Sequence, residues 1–252
     1  MTDTLRILQV GLGPIGIEMA RLAASRKSME IVGGVDLSPE LAGRKLRDVV
    51  SEACGGEIVA TTEEALSRFK PQVALVTTVS DLDKVAPTCE SFLRAGVAVV
   101  STCEEMAYPF LSQPELSARI DEAGKTGGAA CLGTGINPGF VLDLLPVALS
   151  GPMDRVDRVR AWRVVDAATR RGPLQKKVGA GLTKEEFEQR VAGGGFGHRG
   201  FMESLHLVCA AFGVETAGAT TFIRPVISEV RIETEHVTVQ PGQVAGIHQG
   251  AE

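Results

Sequence analysis

A short apolar run, Leu5 to Val10, leads directly into Gly-Leu-Gly-Pro-Ile-Gly. Gly11, Gly13 and Gly16 stand at GxGxxG spacing, a weak pattern by itself. Here it follows a predicted strand and opens a predicted helix over Ile15–Ser25, where Ile15, Met19, Leu22 and Ala23 recur at helical spacing. A second apolar run, Met29 to Val35, ends at Asp36, twenty positions after Gly16. That context turns the pattern into a dinucleotide-binding unit. Gly11 permits the tight turn, Gly13 lets the backbone approach a pyrophosphate, and Gly16 lets helix and strand pack closely. Pro14 and Ile15 stand with them at the start of the helix, whose free N–H groups favour phosphate. Asp36 can accept the ribose hydroxyls, which favours NAD, or it can cap the next helix. Ser38 and Arg44 follow closely and can serve a 2′-phosphate, so the cofactor is expected to be NAD or NADP.

Strands and helices alternate through the first half. Predicted strands are Glu57–Ala60, Gln72–Thr77, Val97–Ser101 and Ala129–Leu132. Helices are predicted at Ser38-Pro39-Glu40, Thr62–Arg68, Asp83–Ala95 and Gln113–Gly124. This order implies an α/β fold, a Rossmann-type doubly wound parallel sheet. After Pro138 the rhythm changes. A helix is expected over Val141–Leu149, an antiparallel strand over Val156–Ala167 and a loop over 171–182. Thr183 and Glu186 have capping-box spacing. A glycine-rich loop at 193–200 precedes a helix over Gly200–Phe212, and Val226–Val239 reads as a strand region. We therefore expect a dinucleotide domain over 1–135 and an α+β substrate and oligomerisation domain over 136–252.

Composition narrows the function classes. The net charge of −5 carries no footprint for nucleic acid or an anionic membrane. No apolar run reaches the roughly 18 residues that span a bilayer. The first apolar stretch reads as a strand and not as a signal peptide. The five cysteines form no CxxC pair, which points to reduced thiols in the cytoplasm.

Ligands of open α/β sheets bind at the carboxyl ends of strands. Thr78, Val79 and Ser80 follow one such strand and either line the cofactor path or form a turn capping the next helix. Ser-Thr-Cys-Glu-Glu follows the next. Adjacent residues of an extended segment point to opposite sides, so at most one of Glu104 and Glu105 can face a nicotinamide. Spacing alone favours two solvated acids there. In Gly-Thr-Gly-Ile-Asn-Pro-Gly, Asn137 is held extended by Pro138 and can reach a ribose or carboxamide, or the segment is a hinge. His198, in the second glycine-rich loop, can face a substrate. Glu203 and His206 lie three apart on the following helix without a third ligand for a metal, and no metal is expected.

The segments VGLGPIG, VDLSPELAGRKL, VVSTCEEMAYP, CLGTGINPGFVLDLLP and GHRGFMESLHLV extend across nearly the whole chain. Through them the chain resembles the 2,4-diaminopentanoate dehydrogenases and related native amine dehydrogenases, in the broader dihydrodipicolinate reductase-like group. The resemblance implies reversible oxidative deamination of a small amine or diamino acid to a ketone and ammonia with NAD(P), in a homodimer. It places the family's catalytic acid on the Glu pair, at Glu104, with Glu105 as the alternative. Other readings are an NAD(P)H-dependent reductase of a cyclic imine or carbonyl, or a non-catalytic dinucleotide binder. The His-His segment and nearby lysine of true dihydrodipicolinate reductases are missing. Family chains also continue beyond the point where this one ends, at HQGAE, which implies a C-terminally truncated member.

Overall fold

The computed structural model describes residues 4–252. It divides into two compact units that meet in sequence between Phe140 and Val141.

The first unit is built on six parallel strands. They are β1 (Leu5–Val10), β2 (Met29–Val35), β3 (Ile58–Val59), β4 (Val73–Val76), β5 (Ala98–Ser101) and β6 (Cys131–Gly133). Their spatial order is β3-β2-β1-β4-β5-β6, with every neighbouring pair parallel. The order reverses between β1 and β4, the switch point where doubly wound sheets bind ligands. Five helices flank the sheet: α1 (Pro14–Ala24), α2 (Leu46–Val49), α3 (Thr62–Phe69), α4 (Leu82–Arg94) and α5 (Pro114–Gly127). The period-2 alternation of the strands divides the core in two. Ile7 joins Ile31, Ile58 and Leu46 on one face, with Ala20 of α1. Leu8 and Val10 join Val76, Val85 and Phe92 on the other, with α3, α4 and α5.

Two glycines allow close approaches that a side chain would block. A Cβ on Gly33 would lie 2.5 Å from the Phe69 ring, so α3 rests directly on β2. A Cβ on Gly127 would lie 1.8 Å from the Leu93 carbonyl, so the end of α5 lies against the end of α4.

The second unit carries α6 (Leu144–Leu149), α7 (Gly172–Lys177), α8 (Lys184–Ala192) and α9 (Phe201–Ala211). It also holds two antiparallel pairs: β7 (Thr221–Ile227) with β10 (Val244–Ala251), and β8 (Ile232–Glu233) with β9 (Thr238–Val239). Phe187 of α8 is buried and meets Phe196 edge-to-face at 5.2 Å. The capping box at α8 forms as its spacing predicts, Thr183 accepting from the Glu186 N–H and Glu186 from the Thr183 N–H.

Four local expectations are corrected. Ser38-Pro39-Glu40 opens a turn and not a helix, because Leu41 donates back to the Ser38 carbonyl at 3.0 Å and Gly43 then turns left-handed at φ 81°. Val156–Ala167 forms no strand: no described strand pairs with it, and a strand without a ladder leaves its N–H and C=O groups to water. Residues 171–182 contain α7, whose first turn is favoured by Pro173. Val226–Val239 is broken into separate short strands by turn chemistry. The Ser228 hydroxyl accepts from Val230 N–H, and the Thr234 hydroxyl accepts from His236 and Val237.

No helix among the described residues is long and apolar enough to cross a membrane. The Gly127 contact makes a prediction. Gly127→Ala forces the ends of α4 and α5 apart and should destabilise the first unit by about 1–3 kcal/mol, read as a lowered denaturation midpoint.

Candidate functional site

The glycine turn is fixed from beneath. A Cβ on Gly16 would lie 1.9 Å from the Gly11 carbonyl, and Gly11 itself has φ 84°. The buried Gln9 side chain donates to the Gly11 carbonyl at 2.9 Å and to the Thr77 hydroxyl at 2.8 Å. Thr77 in turn donates to the carbonyls of Val10 and Gly11, at 3.1 and 3.0 Å. The end of β4 is thereby stapled to the end of β1. Gly13 differs from its neighbours. Nothing lies within 4 Å of the Cβ it lacks, and no side chain caps the helix that starts after it. An open glycine beside an uncapped helix N-terminus is a cradle for an anion.

A cavity of about 470 Å³ opens there. Gly11, Gly13, Asp36 and Thr78 of the predicted cofactor set line it. Leu37, Thr61, Thr62 and Glu63 line it too and escaped the sequence reading. Ala60, Thr61, Thr62 and Glu63 follow the short strand β3, so the rule of carboxyl strand ends, applied to β3, would have found the last three. Asp36 accepts from Leu12 N–H at 2.7 Å through one oxygen and from Ser38 N–H at 2.9 Å through the other. Each oxygen keeps a lone pair, so ribose hydroxyls still find acceptors.

Pro14, Ile15, Gly16, Ser38, Val79, Ser80 and Asn137 are not in the cavity wall. Ser38 serves Asp36 through its backbone. The Ser80 carbonyl takes the Cys103 thiol at 3.1 Å and the Glu105 N–H at 3.4 Å, tying the loops after β4 and β5 together. Asn137 keeps its side-chain oxygen buried with no hydrogen-bond partner. An orphaned acceptor of this kind suits a donor on a ligand, such as a carboxamide or a ribose hydroxyl.

The adjacent acids have opposite fates. Glu105 accepts from the Leu82 N–H, the first of α4, at 2.8 Å, and from the Gln113 amide at 2.9 Å. It satisfies a helix end that Asp81 leaves without a side-chain cap. Its carboxylate is thus engaged by two donors of the fold. Asp81 and Asp83 lie beside it at the same helix end. Glu104 is half-buried, and its carboxylate makes no hydrogen bond or ion pair among the described residues. The short 3-10 turn Glu104–Met106 that carries it lies across β6, where a Cβ on Gly133 would fall 2.1 Å from the Met106 carbonyl. Glu104 thus stands at the edge of the sheet that also carries the glycine turn.

His198 belongs to the second unit. Its side chain is exposed, and Gln249 of β10 clamps its backbone, accepting its N–H at 2.8 Å and donating to its carbonyl at 2.7 Å.

Three thiols lie near the Glu104 turn. Burial pushes Cys103 up to about 12. The contact between Cys89 and Cys131 raises the first thiol and lowers the second. Two outcomes follow. Glu105→Ala should cost about 1–3 kcal/mol of stability by leaving the Leu82 N–H unsatisfied, and Glu105→Gln should recover part of it; denaturation midpoints check both. In the folded protein at mildly alkaline pH, iodoacetamide should alkylate the partly exposed Cys131 faster than the buried Cys89 or Cys103, as peptide mass spectrometry would show.

Comparison with known proteins gives a consistent relationship. Residues 140–252 match the family described as 2,4-diaminopentanoate dehydrogenase C-terminal domain. The 2,4-diaminopentanoate dehydrogenase of Acetoanaerobium sticklandii is 31% identical over 249 residues, which is 97% of this chain and 70% of that protein. An amine dehydrogenase of Streptomyces virginiae is 23% identical over 63% of this chain and 45% of its own length. Among solved structures, the amine dehydrogenase of Mycobacterium smegmatis superposes with a TM-score of 0.76 at 27% identity, covering 98% of this chain and 73% of that one. The chain belongs to the 2,4-diaminopentanoate dehydrogenase family.

Proposed function

We propose that this protein catalyses NAD(P)-dependent oxidative deamination of a small amine or diamino acid of the 2,4-diaminopentanoate type. The observation that carries the reading is the unpartnered, half-buried Glu104 carboxylate, at a carboxyl strand end of the same parallel sheet as the open Gly13 cradle. Amine, oxidised cofactor and water become ketone, ammonium, reduced cofactor and a proton. The nicotinamide, when bound, takes the hydride from the amine-bearing carbon.

The protein's residues do the rest. Gly11, Gly13, Gly16, Pro14 and Ile15 present the turn and helix end that hold the pyrophosphate. Asp36, with Ser38 oriented against it, holds the adenosine ribose. Thr78, Val79, Ser80 and Asn137 border the path toward the nicotinamide. Glu104 accepts the proton that the substrate ammonium must lose before its carbon can give up a hydride. Once it has passed that proton to solvent, the carboxylate stabilises the iminium that follows and takes a proton from the attacking water. Such roles need a carboxylate with no internal partner, which Glu104 is and Glu105 is not. His198 contributes to the substrate side from residues 136–252, which serve substrate binding and oligomerisation, while residues 1–135 hold the cofactor. The protein works as a homodimer in the cytoplasm, a reading supported by the family resemblance and by five free thiols.

The test is direct. An activity screen over small amines and diamino acids with both cofactors should give amine-dependent reduction of NAD(P). Glu104→Gln should lower kcat by about 10²–10⁴-fold, with the Kd for reduced cofactor within about twofold of wild type by calorimetry. Full turnover by the variant would remove Glu104 from the role.

A further inference from the structure

We propose that Glu63 is a second cofactor-selecting carboxylate, which with Asp36 makes the adenosine end of the cavity prefer NAD to NADP. The inference rests on the cofactor reading above and sharpens it. Both acids line the same cavity, and among the described residues its lining contains no lysine, arginine or histidine. Asp36 cannot swing away, because Leu12 N–H and Ser38 N–H each hold one of its oxygens.

Glu63 sits in the first turn of α3, where Thr61 caps the helix by accepting from the Glu64 N–H. A bare helix end would attract a phosphate. Here the cap and two acids already use that field. The nearby cation does not relieve Glu63. Arg68 pairs with Glu57 at 2.6 Å and with Glu64 at 2.8 Å, and Glu63 has no ion pair among the described residues. Arg44, the cation that the sequence offers to a 2′-phosphate, is absent from the lining. Its carbonyl accepts from Ile58 N–H at 2.9 Å, which holds its backbone along the outer edge of β3.

A 2′-phosphate brings nearly two negative charges at neutral pH. Between two carboxylates and no cation it is repelled, whereas the 2′-hydroxyl of NAD donates to them. For exposed charges a few ångströms apart in water, one such repulsion amounts to about tenfold in affinity.

The experiment is calorimetric titration of the full chain with NADH and, separately, NADPH at low ionic strength. NADH should bind at least about tenfold more tightly, and added salt should narrow the gap. Glu63→Gln, with Glu63→Ser as a second variant, should raise NADPH affinity about tenfold more than NADH affinity, with unchanged thermal denaturation confirming the fold. Equal wild-type affinities, or a gap that neither variant narrows, would overturn the selection while leaving the cofactor site in place. Binding of neither nucleotide would overturn the cofactor reading and this inference with it.

Discussion

The close approach of Gly16 to the Gly11 carbonyl governs the geometry of the first unit. With 1.9 Å available where a Cβ would stand, no other residue lets α1 start at this angle from β1. The Gln9 amide and the Thr77 hydroxyl then hold the turn from below, so the ends of β1 and β4 move as one piece. Gly13 is left facing open space above this rigid base. The cradle is thus a consequence of packing: two glycines are consumed by contacts, and the third is free because nothing among the described residues occupies its place.

The loops after β4 and β5 repeat the theme with side chains. Cys103 and the Glu105 N–H converge on the Ser80 carbonyl, and the Glu105 carboxylate closes the N-terminus of α4. These bonds fix the 3-10 turn from one side, and Gly133 admits it from the other. Glu104 needs no partner to be positioned, because the chain on either side of it is already held. A carboxylate kept in place by its neighbours, with its own lone pairs unused, is what acid–base work on a bound amine requires.

The second unit follows other rules. Its helices are short, and its two strand pairs are antiparallel and local. Phe187 and the Thr183 capping box show conventional packing and capping, whereas Trp162 and Val164 lie exposed on a segment that pairs with no described strand. The apolar content there reads as a strand, but alternation only says which side chains share a face. Pairing decides whether the face is used.

The sequence by itself determined the glycine turn and Asp36, because each depends on residues within some forty positions of one another, and the parallel sheet, because the alternation of strands and helices expresses it directly. It also placed the Glu pair at a strand end. It could not separate Glu104 from Glu105, since the difference is a hydrogen bond to Leu82, 23 residues away, at a helix end whose position only the folded sheet defines. Glu63 was hidden for the same reason. It is one acid among several in a short helix, and only the tertiary structure brings it to the wall shared with Gly13 while Arg68 is taken by other partners. Local periodicity specifies elements. Which side chain is satisfied and which is left free is settled by contacts between elements far apart in the chain.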